Sequence, residues 1–180
     1  MLYIALFTQM SKRHFDDQDS GENSFKAKYN PAKLYTEQTC SQNNKWKFEY
    51  YFGNVDKETR KNIQLDDVAM FSVTKSDQAD EITDLLLSYM PPFATICDGT
   101  ACAGGNTISF VRPGKFAFID SFEIDRGRFE CLNNNIKQCG VESRVSTHND
   151  DFVSFIDRMD YYDIIFADPP YAILGVMDST

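Results

Sequence analysis

The sequence lacks the patterns that define several large classes of protein. No apolar run approaches the roughly 18 residues that a membrane-spanning helix requires. The apolar segment 1–10 has no basic residues before it and no clear cleavage site after it, so it does not resemble a secretion signal. The five cysteines form no CxxC pair, and His14 and His148 lie far apart, so no metal site is expected. These absences predict a cytoplasmic or nuclear protein with reduced, mostly buried thiols and no contact with a membrane.

Basic residues are scarce, and their distribution is uneven. The net charge is −9, whereas a general nucleic-acid-binding domain is normally basic. Residues 1–61 hold ten Lys and Arg against eight Asp and Glu, and residues 62–180 hold eight against nineteen. An RNA backbone would therefore be expected to contact the N-terminal part. The lysines and arginines available there include Lys26, Lys28, Lys33, Lys45, Lys47, Arg60 and Lys61.

The chain divides into three regions by pattern. Residues 1–30 include a long polar stretch without apolar periodicity, which predicts a flexible tail. Residues 31–90 are rich in aromatic and charged side chains and include an amphipathic helix that begins near Asp77 and ends before Pro91. They predict a small helical extension. Residues 91–180 alternate short apolar strands with helices, which is typical of a parallel sheet.

A glycine-rich turn follows the first of these strands. Gly99, Gly104 and Gly105 allow the backbone to approach a ligand closely, because glycine has no Cβ. The second strand ends at Glu123, about 20 residues beyond the glycines, where a carboxylate can accept hydrogen bonds from a ribose diol. Asp150 and Asp151 follow the third strand and are suitably placed for an adenine amino group, although acids at such positions also cap helices. The pattern favours an adenosine-type ligand.

The most specific motif is Asp-Pro-Pro-Tyr at 168–171, directly after the fourth strand. The two prolines fix the backbone, so the Asp168 side chain and the Pro169 carbonyl oxygen point in set directions. Both oxygens accept hydrogen bonds and together can hold the two hydrogens of an exocyclic amine. Tyr171 offers a flat face on which a base can stack. The motif predicts catalysis at an amine, mostly through positioning.

These motifs resemble those of class I S-adenosylmethionine-dependent methyltransferases, in which a glycine turn and a (D/N/S)PP(Y/F/W) motif flank the site. The segments QLDDVAMFSVT (64–74), AGGNTISF (103–110) and EID (123–125) with NNN (133–135) are similar to segments of the trimethylguanosine synthase family. This resemblance extends from about residue 45 to residue 171. It implies a Rossmann-like α/β fold and methyl transfer to guanine N2 of a 7-methylguanosine cap on RNA, with S-adenosylmethionine as the cofactor.

The resemblance also implies a set of site residues. Asp168, Pro169 and Tyr171 would be catalytic, and Ser72, Asp168 and Tyr171 would bind the substrate. The residues expected to bind or surround the cofactor are Phe71, Thr74, Asp98, Gly99, Thr100, Gly104, Asn106, Thr107, Glu123, Ile124, Asp150 and Asp151.

Two departures from the family leave alternatives open. The family usually reads SPPW, whereas DPPY is typical of methyltransferases acting on adenine N6 of DNA or RNA, or on guanine N2 of ribosomal RNA. The pattern also supplies only four sheet strands, so the fourth strand is expected to be an open apolar edge. A truncated sheet would fit a fragment, a second polypeptide that completes the sheet, or a non-catalytic scaffold subunit that keeps the fold.

Overall fold

A computed structural model describes residues 2–5 and 33–168. Its helices are α1 (Lys45–Phe52), α2 (Lys57–Arg60), α3 (Ala69–Ser72), α4 (Ser76–Tyr89), α5 (Gly105–Val111) and α6 (Arg126–Gln138). Its strands are β1 (Leu2–Ala5), β2 (Thr95–Asp98), β3 (Phe118–Phe122), β4 (Val145–His148) and β5 (Ile164–Ala167). Three 3-10 helices cover Gln42–Asn44, Glu142–Arg144 and Phe152–Tyr161. Among the described residues, no helix has the length and apolar character needed to cross a membrane.

The five strands form one parallel sheet in the order β1-β5-β2-β3-β4. The chain runs from β2 outward through β3 to β4 and then crosses back to place β5 on the other side of β2. This order confirms the predicted Rossmann-like α/β fold. The direction of the winding reverses between β2 and β5, and open α/β sheets bind ligands outside the carboxyl ends of their strands at such a point.

The pairing of β1 with β5 corrects two predictions. Leu2 lies opposite Ile164, and the register continues to Ala5 opposite Ala167. Residues 2–5 are therefore a strand rather than part of a flexible tail, and β5 is not the open edge of the sheet. The rest of the predicted tail lies outside the described residues. The contribution of a second polypeptide to the sheet stays a prediction.

The helices lie where the sequence pattern predicts them, with one difference in type. The alternation of strands and helices predicted for residues 91–180 is kept after β4 by a 3-10 helix over Phe152–Tyr161 rather than by an α-helix. Helix α4 begins at Ser76, and Asp77 does not cap it: its carboxylate accepts a hydrogen bond from the neighbouring Gln78 amide and pairs with Lys75. Helix α6 is capped by Asp125, whose side chain accepts from the Arg128 amide.

The N-terminal extension shares one hydrophobic core with the sheet. Phe48 and Phe52 of α1 are buried in the same cluster as Ile96 of β2 and Phe166 of β5. Burial of side chains of this size stabilises a fold by about 1.5–3 kcal/mol each. The extension, which includes the FSVT segment (71–74), is therefore part of the same packed unit.

Candidate active site

Four strand ends bring polar side chains to one edge of the sheet. Asp98 ends β2, Glu123 follows β3, Asp151 follows β4 and Asp168 follows β5. Because the strands are parallel, their carboxyl ends meet at the same edge. At this edge the amide of Gly99 donates to the carbonyl oxygen of Phe166 at 2.8 Å, which ties the glycine turn to the strand that leads into Asp168.

A cleft of about 200 Å³ opens at this edge. Its lining includes Glu123, Ile124, Asp150 and Asp151, and also Gly99 and Thr100 of the glycine turn. The remaining lining residues are Val68, Ser72, Cys102, Phe122, Arg128 and Phe152. The predicted glycine turn and the predicted acidic residues therefore surround one space.

Glycine at position 99 is required by the ring of Phe152. A Cβ at Gly99 would lie 2.7 Å from Phe152 Cγ, which is closer than real Cβ contacts come. Phe152 packs its ring against the turn and forms one wall of the cleft. The glycine therefore allows an aromatic side chain to approach the turn at the place where a flat ligand group would lie.

Glu123 is held in position by its neighbours. Its Oε1 accepts a hydrogen bond from the Asp125 amide at 2.8 Å and lies 3.3 Å from Arg128 Nε. Both of these contacts, among the described residues, go to Oε1, so Oε2 is available to a hydroxyl group of a ligand. Asn149 Nδ2 donates to the carbonyl oxygen of Glu123 at 2.9 Å and fixes the backbone. Neither Arg128 nor Asn149 belongs to a recognised motif, so the sequence alone does not predict them as site residues.

A smaller pocket adjoins the cleft and contains Asp168. Ser72, Thr100 and Cys102 line both spaces, so the two adjoin. The smaller space has a volume of only about 10 Å³, roughly that of one water-sized group. Asp168 donates its backbone N–H to Thr100 Oγ1 at 2.7 Å, which fixes the start of the DPPY motif. Pro169 and Tyr171 lie outside the described residues, and their roles stay predictions.

Thr74 links the Asp168 carboxylate to the glycine turn. Thr74 Oγ1 donates to Asp168 Oδ2 at 3.3 Å and accepts from Asn106 Nδ2 at 2.9 Å. Asn106 is 8% exposed, and its buried Oδ1 has no hydrogen-bond partner among the residues that the structure describes. Buried polar atoms are nearly always paired, so this oxygen, in a residue that lines the smaller pocket, is suited to a ligand N–H.

Asp98 lies beneath the cleft rather than in its wall. It is 1% exposed, and Thr107 Oγ1 donates to its Oδ2 at 2.6 Å. Burial raises the pKa of Asp98 to about 7, and the nearby charges of Asp168 and Glu123 act in the same direction. Thr107 is fully buried. Asp98 and Thr107 were both predicted to bind the cofactor, and the structure places them below the surface that a ligand would touch.

Phe71 and Gly104 also differ from their predicted positions. Phe71 is 76% exposed and lines neither pocket, because its ring packs over the ammonium group of Lys47 at 3.3 Å. Gly104 has φ +91°, which favours glycine, and forms the start of α5 without lining either space. Gly105 lines the smaller pocket, and a Cβ there would lie 2.6 Å from Val73 Cγ1.

All five cysteines are free thiols, as the sequence predicts. Cys102 lines both pockets, and burial raises its pKa well above the ordinary range. Burial also raises the pKa of Cys97 and Cys131 to about 12. These thiols are therefore poor nucleophiles near neutral pH.

The sheet order and the cleft at its switch point are those of a Rossmann-like α/β domain. Residues 93–176 match the model of a particular family, described as RNA cap guanine-N2 methyltransferase. The matched stretch is a little under half of the chain, and the chain resembles this family there.

Known proteins similar to this chain include a viral one. An uncharacterized protein, L320, of Acanthamoeba polyphaga mimivirus is 30% identical over 139 residues, which cover 63% of this chain and 53% of the viral protein. The chain thus spans about half the length of this relative.

The solved structures similar to this chain include methyltransferases. A SAM-dependent methyltransferase from Agrobacterium tumefaciens is 14% identical, with a TM-score of 0.47 over 60% of this chain and 37% of that one. An O-methyltransferase from Bacillus cereus in complex with SAH is 18% identical, with a TM-score of 0.45 over 53% of this chain and 46% of that one.

Proposed function

We propose that this chain binds S-adenosylmethionine in the cleft and transfers its methyl group to an exocyclic amine of a nucleobase in RNA. The observation that carries the proposal is the adjacency of two spaces at the switch point of the sheet. Glu123 and Asp151 line the larger one, Asp168 lines the smaller one, and Ser72, Thr100 and Cys102 line both. A methyl donor in the larger space would lie next to an amine held by Asp168.

The residues of the larger cleft fit the donor by their chemistry. Glu123 offers Oε2 to ribose hydroxyls, and hydrogen bonds to a charged group are worth about 1.5–3 kcal/mol. Phe152 and Ile124 provide apolar surface for a purine. Asp151 Oδ1 already accepts from the Val153 amide at 3.0 Å, so its contribution to an adenine amino group would come from its other oxygen. The donor, when bound, supplies an electrophilic methyl group attached to a sulfonium.

Asp168 would hold the acceptor amine. Its carboxylate accepts a hydrogen bond from the amine N–H, which turns the nitrogen lone pair toward the cleft. The nitrogen lone pair forms the new N–C bond, the C–S bond of the donor breaks with its electrons going to sulfur, and the amine proton leaves afterwards to the carboxylate or to water. Little general-base strength is required, so most of the rate gain would come from positioning.

The acceptor we favour is guanine N2 of a 7-methylguanosine cap. Support for this substrate comes from the match of residues 93–176 to the family of cap guanine-N2 methyltransferases and from the FSVT and GGNT segments. Ser72 of the FSVT segment lines both pockets, and Thr74 contacts Asp168. A cationic 7-methylguanine would add a cation–π term on Tyr171.

A second candidate rests on Asp168 itself. An aspartate at the first position of the motif favours an adenine N6 or ribosomal guanine N2 acceptor. Purified protein would be incubated with donor and with matched capped and uncapped RNAs, and the products digested and analysed by mass spectrometry. Methyl groups on the cap guanine support the first candidate. Methylation of internal bases alone favours the second, and donor binding without methylation of any RNA contradicts both.

A non-catalytic scaffold is the remaining alternative. A scaffold would bind neither donor nor product, so titration with S-adenosylhomocysteine separates it from both enzymes. The same titration is the first control for each variant described below.

A further inference from the structure

An exposed strip of aromatic and lysine side chains lies beside the cleft. It consists of Trp46, Lys47, Tyr50, Phe71 and Lys75, and we call it the Trp46 strip. Trp46 is 57% exposed, Tyr50 41% and Phe71 76%. Large aromatic side chains are normally buried, and a contiguous exposed group of them marks a binding surface.

Contacts within the strip make it one continuous surface. The rings of Trp46 and Tyr50 meet edge to face with centroids 5.4 Å apart. Lys47 Nζ lies 3.3 Å from the Phe71 ring centroid and 5.9 Å from that of Trp46, so it joins α1 to α3. Lys75 Nζ lies 5.4 Å from the Tyr50 ring centroid and extends the strip toward α4.

The ammonium group of Lys47 is held in place by a backbone carbonyl group. Lys47 is 5% exposed, and its Nζ donates to the carbonyl oxygen of Met70 at 2.8 Å. The Tyr51 hydroxyl donates to the same oxygen at 3.0 Å. The ring of Phe71 is therefore held over a cation on its inner side, while its outer face is open to a stacking partner.

The strip begins where the cleft ends. Phe71 is followed in α3 by Ser72, which lines both pockets, and Val68 of the preceding turn lines the cleft. A polymer whose terminal base presents its amine to Asp168 would have its next residues close to Phe71.

The segment that contains the strip differs in net charge from the rest of the described core. Residues 33–75 hold seven Lys and Arg against six Asp and Glu, whereas residues 76–180 hold seven against seventeen. An RNA chain is polyanionic, so the acidic C-terminal part repels it, whereas the nearly neutral segment that contains the strip does not. Lys75 pairs with Asp77, so stacking on the rings rather than charge would supply most of the binding.

We propose that the Trp46 strip is the docking surface for the single-stranded RNA chain that follows the acceptor base. This inference rests on the proposed function for the position of the acceptor. Aromatic rings bind successive bases of single-stranded nucleic acid without sequence preference, because every base has a flat face.

The test compares a long and a short ligand on the same variants. Trp46→Ala and Tyr50→Ala would be titrated with a short capped oligoadenylate, with a cap dinucleotide, and with S-adenosylhomocysteine. We expect oligoadenylate affinity to fall by about fivefold or more for each variant. Affinity for the cap dinucleotide and for S-adenosylhomocysteine should stay within about twofold of the unmodified chain.

Two matched controls complete the test. Trp46→Phe keeps a stacking ring and should retain most of the oligoadenylate affinity. Tyr89→Ala removes an aromatic side chain that is 68% exposed on α4, outside the strip, and should change nothing.

Several outcomes would overturn the inference. The inference fails if Trp46→Ala and Tyr50→Ala both leave oligoadenylate affinity unchanged. It also fails if Tyr89→Ala lowers oligoadenylate affinity as much as they do. An equal loss of S-adenosylhomocysteine affinity would assign Trp46 to the fold. Weaker self-association in sedimentation with unchanged RNA affinity would assign the strip to a second copy of the chain. Oligoadenylate binding through the strip without S-adenosylhomocysteine binding would uphold the strip and reject the proposed donor site.

Discussion

Thr74 and Asp168 are 94 positions apart in the sequence, and the Thr74 hydroxyl donates a hydrogen bond to the Asp168 carboxylate at 3.3 Å. This contact joins the FSVT segment of the N-terminal extension to the motif that follows the last strand. The hydroxyl has a single hydrogen, and Thr74 donates it to Asp168. The contact with Asn106 must therefore run from the amide N–H to the Thr74 oxygen. These hydrogen bonds therefore link the glycine turn, on the side of the methyl donor, to Asp168, which would hold the acceptor amine.

Thr74→Val should lower turnover while leaving the donor in place. The substitution keeps the shape and removes the hydrogen bond that orients Asp168, which is worth about 1.5–3 kcal/mol because its acceptor is charged. We expect methyl transfer, measured as kcat, to fall about tenfold or more. S-adenosylhomocysteine affinity should change by less than twofold. Thr74→Ser should restore kcat, and a loss of donor affinity equal to the loss of kcat would contradict the orienting role.

Glu123→Gln should weaken binding of the donor or its product. The amide keeps the shape but loses the charge that strengthens hydrogen bonds to ribose hydroxyls, and we expect a loss of about 1.5–3 kcal/mol by calorimetry. Asp84→Asn alters an exposed carboxylate on α4 and is the matched control. Unchanged affinity in Glu123→Gln would reject the ribose assignment.

Gly99→Ala should also weaken donor binding, for a steric reason. The new Cβ would lie 2.7 Å from Phe152 Cγ and push the ring into the cleft. Adding Phe152→Ala to Gly99→Ala removes the collision and should recover part of the affinity lost in the single variant. Additive losses in the double variant, measured by calorimetry, would show that the two residues do not compete for the same space.

Asn135→Ala should lower the stability of the fold, because Asn135 has a structural role rather than a catalytic one. Asn135 is fully buried, and its side chain donates to the carbonyl oxygens of Gln64 and Ala103 and accepts from the Gln64 amide. Loss of these bonds should lower the free energy of unfolding by about 2–4 kcal/mol in urea titration. The neighbouring Asn134→Ala, at a half-buried position, should cost less than about half as much. Equal losses would contradict a role for Asn135 in joining the extension to the glycine turn.

The stability of the ligand-free protein should fall as pH rises. Burial raises the pKa of Asp98 from 3.8 to about 7, so between these values the folded state holds a proton that the unfolded state has lost. The contribution of Asp98 is therefore fully present below about pH 4 and is lost as pH rises toward 7, at up to about 1.4 kcal/mol per pH unit. Thermal unfolding of Asp98→Asn should show a flatter pH dependence across this window, and Asp84→Asn should not. Identical pH profiles for Asp98→Asn and the unmodified chain would contradict the shift.

The sequence predicts those parts of the site that depend on short-range pattern. Gly99 and Glu123 were found because a turn and a strand end have local signatures, and parallel strands bring such ends together. The pairing of Leu2–Ala5 with β5 was not found, because a four-residue strand beside a polar segment has no distinctive period. The exposure of Phe71 and the burial of Asp98 could not be predicted, because burial and side-chain direction depend on packing between elements.

Isothermal titration of the chain with S-adenosylhomocysteine is the most direct test of the proposed donor site. We expect saturable one-to-one binding that Glu123→Gln weakens by about tenfold or more and that Asp84→Asn leaves unchanged. A well-folded sample that binds no S-adenosylhomocysteine would contradict the claim that this cleft holds a methyl donor.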